Sequence, residues 1–344
     1  MTNPAPARPV RGEAEEVLAM LRAWNDAAQP PRLVVETSGS TGEPKRVLLS
    51  RDAMRASATA THARLGGPGR WLLMLPPAYV AGLQVLFRSV LAGTEPVVKA
   101  GTLADAAASM GAREEARRYV SVVPTQLARI LAEPRELEAL RSFDTVLVGG
   151  ARLDDRLREA AASAGIRLVT TYGMSETCGG CVYDGLPLDG VAVRIAADQR
   201  VWLGGPVLFD GYDGRPGPTA EVLVDGWFRT QDTGRIDDDG RLHVLGRVDD
   251  VLISGGVNVS ASAVADRLRE HPAVSAVEVF GVPDPEWGQR VVAAVVGALS
   301  LDEARDWVSA VHPRAWAPRE VRAMAALPLL PNGKVDRVAL REAR

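Results

Sequence analysis

The sequence predicts an α/β protein with a large N-terminal domain, built on a mainly parallel sheet plus a small β subdomain, and a small α+β domain at the C-terminus. Three observations lead to this prediction. Short apolar runs alternate with helical segments between residues 33 and 170, which is typical of a parallel sheet with helices on its faces. After Gly173 the apolar runs are short and bounded by turns. After Gly246 helices and two strands follow in close succession.

The N-terminal elements are predicted from the spacing of apolar residues. A first amphipathic helix is expected over residues 12–25, because Val17, Leu18, Leu21 and Trp24 recur at helical spacing. Strands are predicted at 33–35, 71–75, 96–98, 120–123, 145–148 and 168–170. Helices are predicted between them at 51–65, 80–91, 103–110, 124–131 and 154–164.

The remaining elements have a different pattern. Short strands are predicted at 191–195, 200–203, 220–224 and 242–244. Beyond them we expect a helix at 260–270, strands at 273–282 and 290–296, and helices at 301–311 and 336–344. The predicted domains are therefore residues 1–246 and 251–344, with a hinge at 247–250.

Composition excludes several classes of partner. The chain has 344 residues, of which 47% are hydrophobic, and a net charge of −3 without a long basic run. This argues against nucleic acid or an anionic membrane as the main partner. No apolar stretch reaches spanning length, and the first residues lack the apolar core of a secretion signal. A cytoplasmic location is expected.

The chain has two cysteines, Cys178 and Cys181. A zinc site needs about four ligands, and the four histidines are scattered. A thioredoxin-like redox pair is conceivable. The glycines between the two cysteines favour instead two reduced thiols, without a metal, in a loop or strand.

The first strong motif is residues 36–45, Glu-Thr-Ser-Gly-Ser-Thr-Gly-Glu-Pro-Lys, which directly follow an apolar strand. Glycines allow a backbone to approach phosphate oxygens closely, hydroxyls donate hydrogen bonds, and lysine neutralises charge. The spacing is not that of the ordinary P-loop, which disfavours a P-loop kinase. Taken alone, the segment is also compatible with a surface turn.

The second motif is residues 171–177, Thr-Tyr-Gly-Met-Ser-Glu-Thr, at the carboxyl end of a predicted parallel strand, where ligands bind in open α/β sheets. Tyr172 can stack on a purine and Ser175 can donate to a phosphate. Glu176 can help to hold Mg²⁺, which favours one or two carboxylates together with phosphate oxygens.

Three further motifs are ambiguous when taken alone. Residues 228–234 contain Asp232, which by itself is typical of a turn. Residues 246–258, Gly-Arg-Val-Asp-Asp-Val-Leu-Ile-Ser-Gly-Gly-Val-Asn, would form a salt-bridged turn followed by a glycine loop. Residues 330–337 contain a Pro-Asn-Gly turn that presents Lys334 on a mobile end.

The five motifs, in this order, resemble those of the acyl-adenylate-forming superfamily, which includes acyl-CoA ligases and peptide-synthetase adenylation domains. The resemblance covers nearly the whole chain. It is greatest to the compact o-succinylbenzoate–CoA ligases of actinobacteria, which act in menaquinone synthesis. Three positions depart from the usual pattern: Gln231 replaces a glycine, Val257 replaces a glutamate, and Tyr79 stands where a Pro-x-x-His-x-x-Gly segment has its histidine.

The resemblance implies a role for each motif residue. Phosphate binding falls to Thr37, Ser38, Gly39, Ser40, Thr41, Gly42, Lys45 and Ser175. Adenine and ribose binding falls to Gly149, Gly150, Ala151, Tyr172, Asp232 and Arg247. Glu176 holds Mg²⁺, Lys334 is catalytic, Asp249 is the hinge, and Gly255 and Gly256 line the CoA channel. The acyl pocket is formed by Tyr79, Gly82, Leu83, Thr125 and Thr170, together with Gly149.

The implied reaction has two halves. A carboxylic acid and Mg·ATP form an acyl-AMP and pyrophosphate; the small domain then rotates about Asp249, and CoA displaces AMP. The acid is expected to be o-succinylbenzoate, with Arg88 either binding a second carboxylate or lying on a helix surface. Another aromatic or short-chain acid remains an alternative, as do an adenylation domain that loads a carrier protein and a non-catalytic nucleotide-binding module. The resemblance also favours a homodimer.

Overall fold

The protein is described by a computed structural model that covers residues 6–37, 45–111 and 116–342. The strands up to Tyr183 are β1 (Arg8–Pro9), β2 (Leu33–Thr37), β3 (Lys45–Leu49), β4 (Arg70–Leu73), β5 (Val97–Val98), β6 (Arg118–Val122), β7 (Thr145–Val148), β8 (Leu168–Met174) and β9 (Gly179–Tyr183). The later strands are β10 (Leu186–Pro187), β11 (Ala192–Ile195), β12 (Arg200–Gly204), β13 (Gly211–Tyr212), β14 (Leu223–Val224), β15 (Trp227–Ile236), β16 (Leu242–Arg247), β17 (Val251–Ser254), β18 (Val257–Ser260), β19 (Val274–Asp284), β20 (Gly288–Gly297) and β21 (Glu320–Ala323).

The helices alternate with these strands over the first half of the chain. They are α1 (Ala14–Asp26), α2 (Arg51–Leu65), α3 (Val80–Ala92), α4 (Leu103–Ala108), α5 (Pro124–Ala132), α6 (Pro134–Arg141), α7 (Asp155–Ser163), α8 (Pro216–Val222), α9 (Ala261–Arg269), α10 (Leu301–Ser309) and α11 (Arg337–Glu342). Short 3-10 turns occupy Ser175–Thr177, Val248–Asp250 and Arg314–Trp316. In the part of the chain that the structure describes, no helix is long and apolar enough to cross a membrane.

The central sheet has seven strands in the order β10-β9-β8-β7-β6-β4-β5. The five strands from β5 to β8 are parallel, whereas β9 and β10 are antiparallel to their neighbours. Its apolar side chains pack against α4, α5, α6 and α7 in a cluster that includes Val120, Val146, Leu127 and Ala161. The predicted α/β class, with a mainly parallel sheet, is confirmed.

Three smaller sheets accompany it. One has the order β1-β2-β3-β13, a second has β11-β12-β15-β14 with β16 beside β15, and a third has β18-β17-β20-β19 with β21 beside β20. The chain divides into two compact units. The first comprises Met1–Arg194, Trp202–Thr230 and Asp237–Leu242, and the second comprises Ile195–Val201, Gln231–Ile236 and His243–Arg344.

Most predicted elements are present, with ends shifted by a few residues, but three predictions are wrong. The strand at 33–35 does not join the parallel sheet, because β2 pairs with β1 and β3 instead. The strand predicted at 220–224 is mostly the helix α8. The turn expected around Asp232 is the middle of the long strand β15.

Candidate active site

The carboxyl ends of β4, β6, β7 and β8 are neighbours at one edge of the parallel sheet. This is the edge at which ligands bind in open α/β sheets. The predicted residues that follow these strand ends are Tyr79 and Gly82 after β4, Thr125 after β6, Gly149, Gly150 and Ala151 after β7, and Ser175 and Glu176 after β8. The first unit therefore brings these predicted residues to a single edge.

Gly149 is a position where only glycine fits. A Cβ at Gly149 would lie 2.3 Å from Thr171 Oγ1 on the neighbouring strand, far inside van der Waals contact. The next residue, Gly150, has a φ of +82°, which disfavours L side chains. Neither position therefore accommodates a side chain, because Thr171 already fills the space beside Gly149 and the backbone of Gly150 is left-handed.

The predicted acyl residues differ in how accessible they are. Tyr79 is half-buried at the N-cap of α3, whereas Leu83 on the same helix is fully buried in the core. The hydroxyl of Thr170 donates to Asp184 Oδ1 at 2.9 Å, so this group already has an acceptor within the protein. Tyr79 and Thr125 are thus better placed than Leu83 to contact an acid.

The alternative that placed Arg88 on a helix surface is wrong. Its side chain is buried, with the guanidinium carbon 5.0 Å from the centre of the Trp71 ring and Nη2 3.4 Å from the Tyr183 hydroxyl. Burial lowers the pKa of Arg88, because no solvent stabilises its charge there. No carboxylate pairs with it within residues 6–37, 45–111 and 116–342.

Glu176 lies on the 3-10 turn that follows β8, and its side chain is almost completely buried. The hydroxyl of Tyr212 donates to Glu176 Oε1 at 2.8 Å. Burial raises the pKa of Tyr212, and the charge of Glu176 and this hydrogen bond raise it further. Tyr212 therefore remains a protonated donor at neutral pH.

Tyr212 also contacts the lysine of the phosphate loop. Lys45 Nζ lies 5.2 Å from the centre of the Tyr212 ring, which is within the range of a cation–π interaction. Strand β13 pairs with β3 so that Tyr212 is opposite Val47, two residues from Lys45. One tyrosine thus holds a predicted phosphate-binding cation and a predicted metal-binding carboxylate.

The phosphate loop itself is only partly within the described residues. Thr37 and Lys45 are opposite each other as the last pair of the β2–β3 hairpin. The predictions for Ser38, Gly39, Ser40, Thr41 and Gly42 concern residues outside the described part of the chain.

Hydrogen bonds from two helices fix the end of the turn that carries Glu176. Cys178 ends it with a φ of +52°, and its carbonyl accepts hydrogen bonds from Gln84 Nε2 at 2.7 Å and from Ser57 Oγ at 3.2 Å. Thr177 Oγ1 donates to Gly179 O at 2.7 Å. Helices α2 and α3 therefore support the strained residue that follows the site.

Cys178 and Cys181 are both free and buried. Burial raises the pKa of each thiol, that of Cys181 to about 12. Neither is a thiolate at neutral pH, so neither has the reactivity of a redox cysteine.

The first unit can accept a hard cation at Glu176. Oε1 is engaged by Tyr212, and Oε2 has no hydrogen-bond partner among the residues that the structure describes. No group of three His, Cys, Asp or Glu residues able to hold a metal occurs in those residues. One free carboxylate oxygen fits Mg²⁺, which binds through one or two carboxylates and completes its shell with phosphate oxygens and water.

The second unit joins the predicted ribose and hinge residues. Asp232 is buried on β15, and its Oδ1 lies 3.7 Å from Arg247 Nη1. Arg247 also forms a forked pair with Asp249, at 2.7 Å from Nε and 2.8 Å from Nη2. The hydrogen bonds to Asp249 raise the pKa of Arg247 most. Gln231 stands where the family has a glycine, but Asp232 is still buried, since β15 alternates buried and partly exposed residues.

Gly255 and Gly256 form the two-residue turn between β17 and β18. Their φ values are +59° and +77°, as a type I′ hairpin turn requires. A Cβ on Gly255 would lie 2.8 Å from the Trp287 ring, whereas Gly256 faces open space. An open groove of about 680 Å³ lies beside this turn; its lining includes Ile253, Trp287 and Gln289.

Lys334 is exposed near the tip of a narrow turn in the second unit. Its carbonyl accepts from Leu330 N at 2.8 Å, and its own N–H donates to Asn332 Oδ1 at 3.2 Å. The backbone on both sides of this exposed residue is thus fixed by hydrogen bonds.

Sequence reasoning missed two residues of these sites, Tyr212 and Trp287. Tyr212 lies 36 residues from its partner Glu176, and no local pattern connects them. Trp287 lies in the segment between the predicted strands at 273–282 and 290–296, where a large aromatic residue in a turn was the available signal.

Comparison with known proteins identifies the family of this chain. Residues 15–222 match the model of the AMP-binding enzyme family, and residues 263–334 match the AMP-binding enzyme C-terminal domain. A probable 2-succinylbenzoate–CoA ligase from Mycobacterium tuberculosis is 46% identical over 342 residues, covering 95% of this chain and 88% of that protein.

Solved structures give the same result. The o-succinylbenzoate CoA synthetase (MenE) from Bacillus subtilis, in complex with the acyl-adenylate intermediate OSB-AMP, matches with a TM-score of 0.78 and 30% identity over 91% of this chain and 69% of that one. The same enzyme in complex with ATP and magnesium ion matches at 0.76 and 29% identity, over 90% and 69%. The predicted resemblance is confirmed, and the chain belongs to the AMP-binding enzyme family.

Proposed function

We propose that this chain is an AMP-forming acid–thiol ligase that joins 2-succinylbenzoate to coenzyme A. In the first half-reaction a carboxylate oxygen attacks the α-phosphorus of ATP, and the bond to pyrophosphate breaks. In the second, the sulfur of CoA attacks the acyl carbon of the acyl-AMP. The C–S bond forms, AMP leaves with the electrons of the C–O bond, and the thiol proton passes to solvent.

The observation that carries this proposal is that Tyr212 contacts both Lys45, through its ring, and Glu176, through its hydroxyl. The arrangement presents a cation and a carboxylate oxygen at the sheet edge where Gly149 and Tyr172 lie. A triphosphate needs the cation, and the Mg²⁺ that accompanies it needs the oxygen. Glu176 would hold the ion, which supplies positive charge against the phosphates.

Asp232 and Arg247 have the chemistry for the ribose. A carboxylate has two acceptors that match a vicinal diol, and the 3.7 Å between Asp232 Oδ1 and Arg247 Nη1 places a donor beside it. Lys334 would then stabilise the negative charge that develops at the α-phosphate. A fixed donor of this kind is worth on the order of 10²–10³ in rate.

The groove at the Gly255–Gly256 turn supports the CoA half-reaction. A turn without side chains leaves room for a thin pantetheine arm, and Trp287 offers a flat apolar wall. The mycobacterial relative supports the choice of acid, since its name specifies 2-succinylbenzoate and CoA. The Bacillus subtilis structure supports the intermediate, since its bound molecule is an acyl-adenylate.

The direct test is pyrophosphate release from Mg·ATP across a panel of carboxylic acids, with and without CoA, with the products identified by mass. We expect rapid release and a thioester with 2-succinylbenzoate. Release with another acid alone would overturn the substrate, and release without a thioester would point to a carrier protein. No pyrophosphate release with any acid of the panel would favour a non-catalytic nucleotide-binding module.

Lys334→Ala separates the two half-reactions. We expect adenylation to fall by about 10²-fold or more, because the charge at the reacting phosphate is lost. Thioester formation from supplied acyl-AMP should persist. An equal loss in both would contradict the assignment of Lys334 to the first step.

A further inference from the structure

Arg337 links three segments of the second unit that are distant in sequence. Its Nε donates to Glu278 Oε1 at 2.6 Å, and its two terminal nitrogens donate to the carboxylate of Asp250, with 3.2 Å between Nη2 and Oδ2. The side chains of Asp250 and Glu278 are 12% and 11% exposed. One planar guanidinium therefore serves two nearly buried carboxylates, a geometry that lysine cannot reproduce.

Arg337 lies at the base of the turn that carries Lys334, which backbone contacts close. Leu329 and Val335 form a bridge, and Asp336 N donates to Pro328 O at 2.8 Å. Asp336 is followed directly by Arg337, the first residue of α11. The chain from Pro328 to Asp336 is thus a narrow backbone loop, and the guanidinium lies where it ends.

Apolar contacts hold the same segment to the sheet without fixing its direction. Leu340 is buried with Phe280 and Val292, and Val335 packs against this cluster. Such contacts are non-directional. The forked hydrogen bonds of Arg337 are directional, so they determine where the turn projects.

The other end of the ion pair belongs to the predicted hinge. Asp250 is the last residue of the 3-10 turn Val248–Asp250, and the residue before it, Asp249, is held by Arg247 at 2.7 Å. The turn of Lys334 is consequently tied to the residue next to the predicted pivot.

We infer that Arg337 is a positioning residue for Lys334: it fixes the lysine turn to the hinge so that Lys334 reaches the reacting phosphate in one defined place. The inference rests on the proposed function, because the role of Lys334 in adenylation is part of it. Arg337 itself touches no substrate. A displacement of about 1 Å in a group that orients a reaction can cost on the order of 10²-fold in rate.

The test compares the two half-reactions in Arg337→Met and Glu278→Gln, which removes the charge of the Arg337 partner that lies outside the predicted hinge. Adenylation is measured as single-turnover formation of acyl-AMP, and thioester formation is measured from supplied acyl-AMP and CoA. We expect both variants to lower the adenylation rate by about 10- to 100-fold and to change thioester formation by less than about 3-fold. Arg337→Lys should fall between wild type and Arg337→Met.

Two controls separate positioning from stability. Arg341→Met removes an exposed arginine from the same helix, and we expect no change in either half-reaction. In a Lys334→Ala background, Arg337→Met should cause no further loss of adenylation, because residues that act as a unit are not additive.

The inference is overturned if Arg337→Met leaves adenylation intact, lowers both half-reactions equally, or adds its full loss to that of Lys334→Ala. Failure of the proposed function has a different signature. In that case the wild type makes no acyl-AMP, or Lys334→Ala adenylates as fast as wild type, and the inference falls with it.

Discussion

Tyr212 joins two groups of opposite charge through different parts of one side chain. Its hydroxyl contacts Glu176, and its ring faces Lys45. The hydroxyl makes a hydrogen bond to a charged acceptor in a buried setting, which is worth more than a neutral one. The predicted phosphate and metal sites thus share Tyr212, a residue that belongs to none of the five sequence motifs.

Tyr212→Phe isolates the hydroxyl, because the ring beside Lys45 is kept. We expect weaker use of Mg·ATP, with the KM for Mg·ATP rising or kcat falling by roughly 10-fold, since a hydrogen bond to a charged group contributes about 1.5–3 kcal/mol. The measurement is pyrophosphate release titrated with Mg·ATP at saturating acid.

Tyr212→Leu is the matched comparison, because it removes the ring as well. It should be more damaging than Tyr212→Phe. Wild-type kinetics in Tyr212→Phe would show that Glu176 needs no orienting donor.

The motif residues could be predicted from the sequence because each motif is local. A glycine-rich loop, a Tyr-Gly-x-Ser-Glu segment and a Gly-Gly turn are each readable within about ten residues. Tyr212 and Trp287 could not, because their roles depend on contacts made by other strands. Arg337 was within a recognised motif, yet its partners Asp250 and Glu278 lie 87 and 59 residues away.

At the scale of elements, prediction succeeded where a local signal marks the ends or the burial of an element. Helix α2 and strand β7 have the predicted bounds: Ser50 and Gly66 cap the ends of the helix, and all four residues of the strand are buried. Strand β15 was missed because its buried face carries Thr230 and Asp232, which conceal the alternation. Helix α8 was read as a strand because none of its residues is buried, so it has no apolar stripe.

The β17–β18 hairpin offers a matched pair of substitutions. Both Gly255→Ala and Gly256→Ala place a side chain at positive φ, which costs roughly 1–2 kcal/mol. Only the alanine at position 255 also collides with Trp287. We therefore expect Gly255→Ala to lower thioester formation and the unfolding midpoint more than Gly256→Ala.

Adenylation serves as the internal reference for this pair. It should be affected much less than thioester formation in both variants. Equal behaviour of the two variants in thioester formation would show that the groove beside Trp287 is not used by CoA.

For the whole molecule, the sequence predicted the fold class but not the membership of each sheet. An apolar strand carries little information about its partner, so β2 was expected beside parallel strands that it does not join. The division into two compact units likewise depends on contacts between segments far apart in the chain. Those contacts are tertiary, and a single sequence does not display them.

The stability of the whole molecule should depend on pH through His62. Burial and the nearby charge of Arg88 lower the pKa of His62 from 6.5 to about 4. At a pH between these two pKa values, His62 is protonated in the unfolded chain but neutral in the folded protein. The free energy of unfolding therefore falls as the pH drops from about 6.5 to about 4. After allowing for partial exposure of the ring, we expect a loss of roughly 1 kcal/mol between pH 7 and pH 5.

Denaturant unfolding at the two pH values measures this loss. His62→Gln should reduce the difference between pH 7 and pH 5, whereas His243→Gln, at an exposed position, should not. An unchanged difference in His62→Gln would contradict the assignment.

Because Cys178 and Cys181 are buried, the protein can be labelled with fluorescent dyes at cysteines introduced elsewhere. Maleimide dyes react with thiolates, and neither native cysteine forms one or reaches solvent at neutral pH. Cysteines introduced at exposed Glu159 and Asp302, one in each unit, would take the dyes while the native pair stays unlabelled. Energy transfer between the dyes, followed as ATP, acid and CoA are added in turn, would show whether the proposed rotation accompanies each half-reaction.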